Sequence, residues 1–233
     1  MLRDIVHRIR RKLIKLRLQP IRVYCMHHVC AEFDAASMHE GDWMQIDDFK
    51  RKIQTMRQDG VEFISLSDAY RHICEDKIRR SKYAVITFDD GYASTKEILL
   101  WLRDLQIPVT LFINPAYMDG KHYREKENER YLTKEDIARL LEECPLLTIG
   151  SHGWEHKDNS KMELMEFANN LDQAYDNLRC YNVLMDFYAY PNGKYSRETD
   201  ALLHERKICP LRADGLYNID DKTQIHREYF PQC

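Results

Sequence analysis

Val85-Ile86-Thr87-Phe88-Asp89-Asp90-Gly91-Tyr92 is the stretch that decides how this chain is read. An apolar run without polar alternation suits a strand covered on both faces, as in a parallel sheet flanked by helices. The run delivers two adjacent carboxylates, and the glycine after them permits a sharp turn. In parallel α/β folds the carboxyl ends of the strands form the active face. Neighbouring residues on extended backbone point to opposite sides, so the two acids need not do the same job. Taken alone, the pair also reads as a helix N-cap followed by a turn acid.

Outward from this stretch, strand-like and helix-like runs alternate. The strand candidates are Arg22–Met26, Glu62–Leu66, Tyr83–Phe88, Val109–Ile113, Leu146–Ile149 and Met185–Tyr190. Between them, apolar residues recur at helical spacing in Ile46–Gln58, Ala93–Gln106, Lys134–Glu143 and Lys161–Arg179, the last opened by a Ser160-Lys161-Met162-Glu163 capping box. Such alternation predicts one domain built on a parallel sheet covered by helices, either a barrel or an open sheet. Residues 119–131 are polar enough to predict a surface loop.

Composition narrows the classes further. The chain has 233 residues, 44% apolar and 31% charged, with a formal net charge of -3. That is too apolar for disorder at so modest a charge, and no apolar run approaches the roughly 18 residues of a membrane span. The seven cysteines are scattered without a C-x-x-C pair, as expected of free thiols in a reducing compartment. Residues 1–19 form a separate unit. Leu2, Ile5, Val6, Ile9, Leu13 and Leu16 recur at helical spacing among seven Lys or Arg residues (3, 8, 10, 11, 12, 15 and 17), which predicts a basic amphipathic helix. Such a helix either lies on an anionic membrane or packs its apolar stripe on the domain. It has neither the continuous apolar core nor the cleavage site of a signal peptide, so the expected location is cytoplasmic, with peripheral contact at the inner membrane face. The slightly acidic balance argues against nucleic acid as a partner, and nothing in the sequence points to a protein partner.

A second stretch, Leu146-Leu147-Thr148-Ile149-Gly150-Ser151-His152-Gly153-Trp154-Glu155-His156, also runs a strand into a small-residue turn. If the turn is helical, His152 and His156 project from one face and suit one metal ion. Alone the pair also reads as two surface histidines. Together with a strand-end carboxylate it makes a two-imidazole, one-carboxylate set that leaves positions for water and substrate.

These residues resemble the NodB-homology polysaccharide deacetylases, carbohydrate esterase family four. Thr87-Phe88-Asp89-Asp90-Gly91-Tyr92 matches the TFDDG motif, and Ser151–His156 the H-x-x-x-H metal motif. Tyr190-Pro191-Asn192-Gly193 resembles the Y-P-x-G loop, and Met26-His27-His28-Val29 the YHxV strand end. The likeness runs over roughly residues 20–230, leaving 20–233 as one NodB-like domain. It implies a distorted, partly open (β/α)7–8 barrel of the α/β class. It also implies Asp89 as general base, and Asp90, His152 and His156 as ligands of one divalent ion, most often zinc, with cobalt, nickel or manganese as substitutes. A backbone N–H near Tyr190 would hold the oxyanion, and a late histidine, here His226, would act as general acid. His27 and His28 compete for that acid role or sit beneath the site as structural groups.

The chain departs from the family at Ala189, where many members carry an arginine that pairs with the base; Arg22 or Arg212 are the candidate replacements. Tyr92, Trp154 and Pro191, with Tyr188 and Tyr195, are candidate sugar-binding residues, since aromatic faces stack on pyranose rings. The resemblance implies a bacterial hydrolase removing acetyl groups from an N-acetylated sugar in a polysaccharide or lipid-linked glycan. A non-catalytic glycan-binding relative, and a hydrolase of O-acetyl esters or other non-peptide C–N bonds, are the alternatives.

Overall fold

The computed structural model describes residues 20–31, 43–75, 82–120, 123–124, 129–181, 183–218 and 221–231. The expected helix at 1–19 lies outside them. In chain order the strands are β1 Arg22–Met26, β2 His28–Cys30, β3 Trp43–Gln45, β4 Val61–Phe63, β5 Lys82–Phe88, β6 Val109–Ile113, β7 Tyr123–Arg124, β8 Glu129–Arg130, β9 Leu147–Ser151, β10 Phe187–Ala189, β11 Cys209–Arg212, β12 Ile225–His226 and β13 Glu228–Tyr229. The helices are α1 Ile46–Gln58, α2 Leu66–Cys74, α3 Thr95–Asp104, α4 Lys134–Glu143, α5 Leu164–Leu178 and α6 Arg197–Glu205. None is long and apolar enough to cross a membrane among the described residues.

The main sheet runs β12-β11-β10-β9-β6-β5-β1-β13, with β4 added beside β5, and every pairing in it is parallel. Only Arg227 separates β12 from β13. One extended segment therefore pairs with β11 through Ile225 and His226 and with β1 through Glu228 and Tyr229. That double pairing brings the two edges of the sheet together and nearly closes it into a helix-wrapped barrel, the fold expected from the sequence. The β9–β10 seam is thin, with Tyr188 opposite Ser151 as its one register pair.

Strand alternation sorts the side chains into two cores. Val23, Val85, Phe112, Ala189, Leu211 and Ile225 form an inner cluster together with Leu66, Ala69 and Ile73 of α2. Ile86, Phe88, Leu111 and Ile149 face outward and pack with Phe49, Ile98, Leu102 and Ile137 of the helices. Burying a side chain of this size contributes about 1.5–3 kcal/mol, so these two layers carry the fold. Gly150 marks where the inner layer is tightest. A Cβ there would meet Phe112 Cε1 at 2.4 Å, so only glycine lets the aromatic ring fill the barrel.

Several local expectations are corrected. Strand Glu62–Leu66 is shorter, because the Ser65 hydroxyl accepts from the Asp68 amide and starts α2. Ser160 caps no helix: its hydroxyl donates to Asp158 at 2.5 Å in a 3-10 turn, and α5 begins only at Leu164. Within the predicted loop 119–131, β7 and β8 form a short antiparallel ladder, and Tyr131 bridges to Tyr92. Helix α6, with its Ser196–Thr199 capping box, and strands β11–β13 complete the barrel in a region for which the sequence reading gave no element.

Candidate active site

The two acids leave β5 in different ways. The Asp89 amide still donates to Met26 O at 2.8 Å and continues the ladder. Asp90 then adopts φ 68°, a left-handed conformation that Asp tolerates better than most residues, and Gly91 follows at φ 79°. A Cβ on Gly91 would lie 2.7 Å from Ile113 Cγ2, so glycine is required there by sterics as well as by conformation. This turn separates the two carboxylates onto different partners.

Asp90 faces two imidazoles. His152 Nε2 lies 3.4 Å and His156 Nε2 3.3 Å from Asp90 Oδ1. The histidines come together through a loop and not through a helix, correcting the condition attached to their spacing. Gly153 turns the chain at φ 81°, Asn114 Nδ2 donates to His152 O and Gly153 O, Asn170 Oδ1 accepts from the Trp154 amide, and Tyr117 Oη from the His156 amide. His152 Nδ1 is 2.8 Å from Ala189 O. A carbonyl can only accept, so Nδ1 carries a hydrogen, and in the neutral imidazole the lone pair is on Nε2, the nitrogen that faces Asp90. That buried Nε2 has no hydrogen-bond partner. A tetrahedron with bonds of about 2.0–2.1 Å has edges of about 3.3 Å, which matches both observed separations. The donor set fits a divalent ion with nitrogen and oxygen ligands.

Asp89 faces a cation supplied by the chain itself. Arg227 Nη1 donates to Asp89 Oδ1 and Nη2 to Oδ2, each at 2.7 Å, with both side chains buried. Arg227 Nη1 also reaches Thr87 Oγ1 at 3.3 Å. The candidate replacements named from the sequence do other work: Arg22 pairs with Glu228 at 2.6 Å and Arg212 with Asp200 at 2.7 Å. Cys25 Sγ donates to Asp89 Oδ2 at 3.2 Å. Cys25, His27 and Asp89 lie close enough together to form a second donor set, but the guanidinium already supplies the positive charge there.

Electrostatics follow this division. Burial pushes the Asp89 carboxyl up, but Arg227 and His152 outweigh it and hold it at about 2. Burial likewise opposes ionisation of Asp90, yet His152 and His156 keep it well below the usual carboxylate range. His152 is lowered by burial and raised by Asp89 and Asp90, and the net direction is up.

The other sequence candidates are placed as follows. His27, on the inner face above Cys25, lies beside both acids, each of which feels its charge. His28 is buried and stacks on Tyr92 at 3.9 Å between centroids; Tyr92 is itself buried and stacks again on Tyr131. Pro191 is buried and Trp154 half-buried. The Tyr190 side chain turns into the outer layer, where its hydroxyl donates to Asp200 at 3.1 Å, and its amide reaches Leu211 O at 3.4 Å. His226 precedes Arg227 on extended chain and so leaves on the opposite side, where Nδ1 lies 2.8 Å from Asp214 Oδ2. Arg227 and the loop-fixing Asn114 and Asn170 were missed. The only local signal for Arg227 was a cation inside a short strand-like run, Ile225-His226-Arg227-Glu228-Tyr229.

A parallel barrel with its ionisable groups gathered at the carboxyl ends of the strands has the active face of a barrel enzyme. Comparison narrows the class: the polysaccharide deacetylase family pattern matches residues 76–208, and the chain belongs to that family. It is 22% identical over 157 residues to YxkH of Bacillus subtilis (strain 168), a protein assigned to the polysaccharide deacetylases; the match takes in 65% of this chain and 52% of YxkH, so the likeness spans about half of that relative's length. IcaB from Ammonifex degensii superposes with a TM-score of 0.75 at 18% identity, covering 92% of this chain and 93% of its own. The Streptococcus pyogenes deacetylase PplD, solved with acetate, gives a TM-score of 0.73 at 16% identity over 91% and 92% of the two chains.

Proposed function

We propose that this chain is a metal-dependent hydrolase that removes the acetyl group from an N-acetylated sugar in a polysaccharide or a lipid-linked glycan intermediate. The observation that carries the reading is the pairing of a two-imidazole, one-carboxylate set with a second, arginine-clamped carboxylate on the preceding residue. Family membership and the acetate bound to PplD support acetyl transfer to water as the reaction.

Asp90, His152 and His156 would hold the ion, zinc first, with cobalt, nickel or manganese as substitutes. When bound, a divalent cation would polarise the acetyl carbonyl and lower the pKa of a water molecule to about 7. The chain's own residues do the rest. Asp89, kept ionised by Arg227, takes the proton of the attacking water. The Tyr190 amide, tied only by a long bond to Leu211 O, is the backbone donor offered to the developing oxyanion. The departing sugar amine needs a proton, and His27 stands beside both acids to give it, whereas His226 is held on the other side of its strand by Asp214. Trp154, half-buried, is available for sugar contact, whereas Tyr92, Pro191 and His28 are buried.

Hydrolysis of N-acetylglucosamine oligomers and of an O-acetyl ester, with added zinc or cobalt, tests the reading. Release of acetate from the amide by wild type and its loss in Asp89→Asn support it; release from the ester alone turns the reading to an O-deacetylase, and no release from either refutes catalysis. The bacterial relatives support a bacterial origin. Residues 1–19 would hold the enzyme at the cytoplasmic face of the inner membrane. Removing residues 1–18 then shifts the protein from membrane to soluble fractions and leaves hydrolysis of a small soluble substrate intact; unchanged fractionation refutes it.

A further inference from the structure

The Asp89 carboxylate accepts three hydrogen bonds from two side chains. Each of its oxygens has two lone pairs. Among the described residues Oδ1 accepts from Arg227 Nη1 alone, whereas Oδ2 accepts from Arg227 Nη2 and from the Cys25 thiol. The thiol is 1% exposed, so its contact with Oδ2 is not shared with solvent. Burial, with the neighbouring carboxylate, keeps it in its S–H form and therefore a donor. Cys25 stands on β1 opposite Thr87, one strand over from the acid that it touches.

We propose that Cys25 is a positioning residue for hydrolysis: its S–H saturates Asp89 Oδ2 and sets the plane of the carboxylate, so that Oδ1 is the oxygen left to face the reacting water. Arg227 alone fixes the carboxylate against tilting but treats its two oxygens alike, because a guanidinium fork meets both. The thiol breaks that equivalence. A sulfur donor does so with a weak bond, leaving Asp89 a better proton acceptor than a third strong donor would. The inference rests on the reading of Asp89 as the base.

The test compares Cys25→Ala and Cys25→Val, which remove the donor with and without leaving a space, and Cys25→Ser, which restores a donor. Metal-supplemented protein is assayed on N-acetylglucosamine oligomers. The expected result is a loss in kcat of about three- to tenfold in both Ala and Val at unchanged KM, with Ser within about twofold of wild type. A readout independent of turnover accompanies it: the infrared S–H stretching band lost in Cys25→Ser moves to higher frequency in Asp89→Ala, as a broken hydrogen bond requires. An unaltered kcat in Ala and Val, a Ser variant as slow as Ala, or an unmoved S–H band overturns the inference while leaving Asp89 as the base. Full activity in Asp89→Asn overturns the base reading, and this inference with it.

Discussion

Asp89 and Asp90 are adjacent in sequence and equally buried, yet they live in opposite surroundings. On one side, Asp89 is neutralised by a permanent cation, Arg227, with two bonds of 2.7 Å. On the other, Asp90 faces two imidazoles, whose charge is not permanent, across gaps of 3.3 and 3.4 Å. The first region carries its own counter-charge and needs nothing from solution. The second meets its carboxylate with imidazoles, and a dication held there would supply a fixed counter-charge. The left-handed turn at Asp90 is what lets one dipeptide serve both environments.

If that contrast is right, the largest effect comes from breaking the imidazole side. His152→Ala or Asp90→Ala should reduce acetate release to background even with excess zinc, with folding checked by circular dichroism. Next comes the base. Asp89→Asn should slow hydrolysis by about 10²–10⁴-fold, the contribution of a positioned general base, at unchanged metal content. Equal rates would erase the distinction between the two acids.

The arginine side should show itself in stability. Arg227→Ala strands a buried carboxylate and should cost about 3–5 kcal/mol in denaturant unfolding, whereas Arg22→Ala, which breaks the half-exposed pair with Glu228, should cost about 1 kcal/mol or less. A smaller effect of the Asp89–Arg227 pair is expected on acid unfolding. The folded Asp89 carboxyl sits at about 2, below its ordinary 3.8. Its contribution is therefore fully present above pH 4 and is lost as the pH falls toward 2, a matter of about 2 kcal/mol. Urea midpoints measured from pH 5 down to 2 should fall less steeply in Arg227→Ala than in wild type, and parallel slopes would contradict the pairing.

What was legible in the sequence was local. The run Val85–Phe88 ending in two acids and a glycine, and the strand that ends at His152, carry their meaning within ten residues, because strand burial and turn formation are short-range events. The barrel itself followed from strand–helix alternation and from the family resemblance. What escaped was set by distant partners. Arg227 acquires its role from Asp89, 138 residues away, and its own neighbourhood reads as a polar edge strand. Strands β12 and β13 are two residues each, too short to show a period, and they exist because β11 and β1 flank them. Arg22 and Arg212 were plausible partners for the base by composition alone, but Glu228 and Asp200 lie nearer to them in the folded chain. The histidine pair was read through helical spacing, whereas Gly153 and the side chains of Asn114 and Asn170 hold it in a loop.

The claim on which all of this depends is that the Asp90 side, and not the Asp89 side, takes a dication. Equilibrium dialysis against zinc followed by elemental analysis measures it directly. The account predicts one zinc per wild-type chain, one per Asp89→Asn chain and none per His152→Ala chain. A wild-type protein that retains no zinc, or a His152→Ala protein that retains as much as wild type, contradicts it.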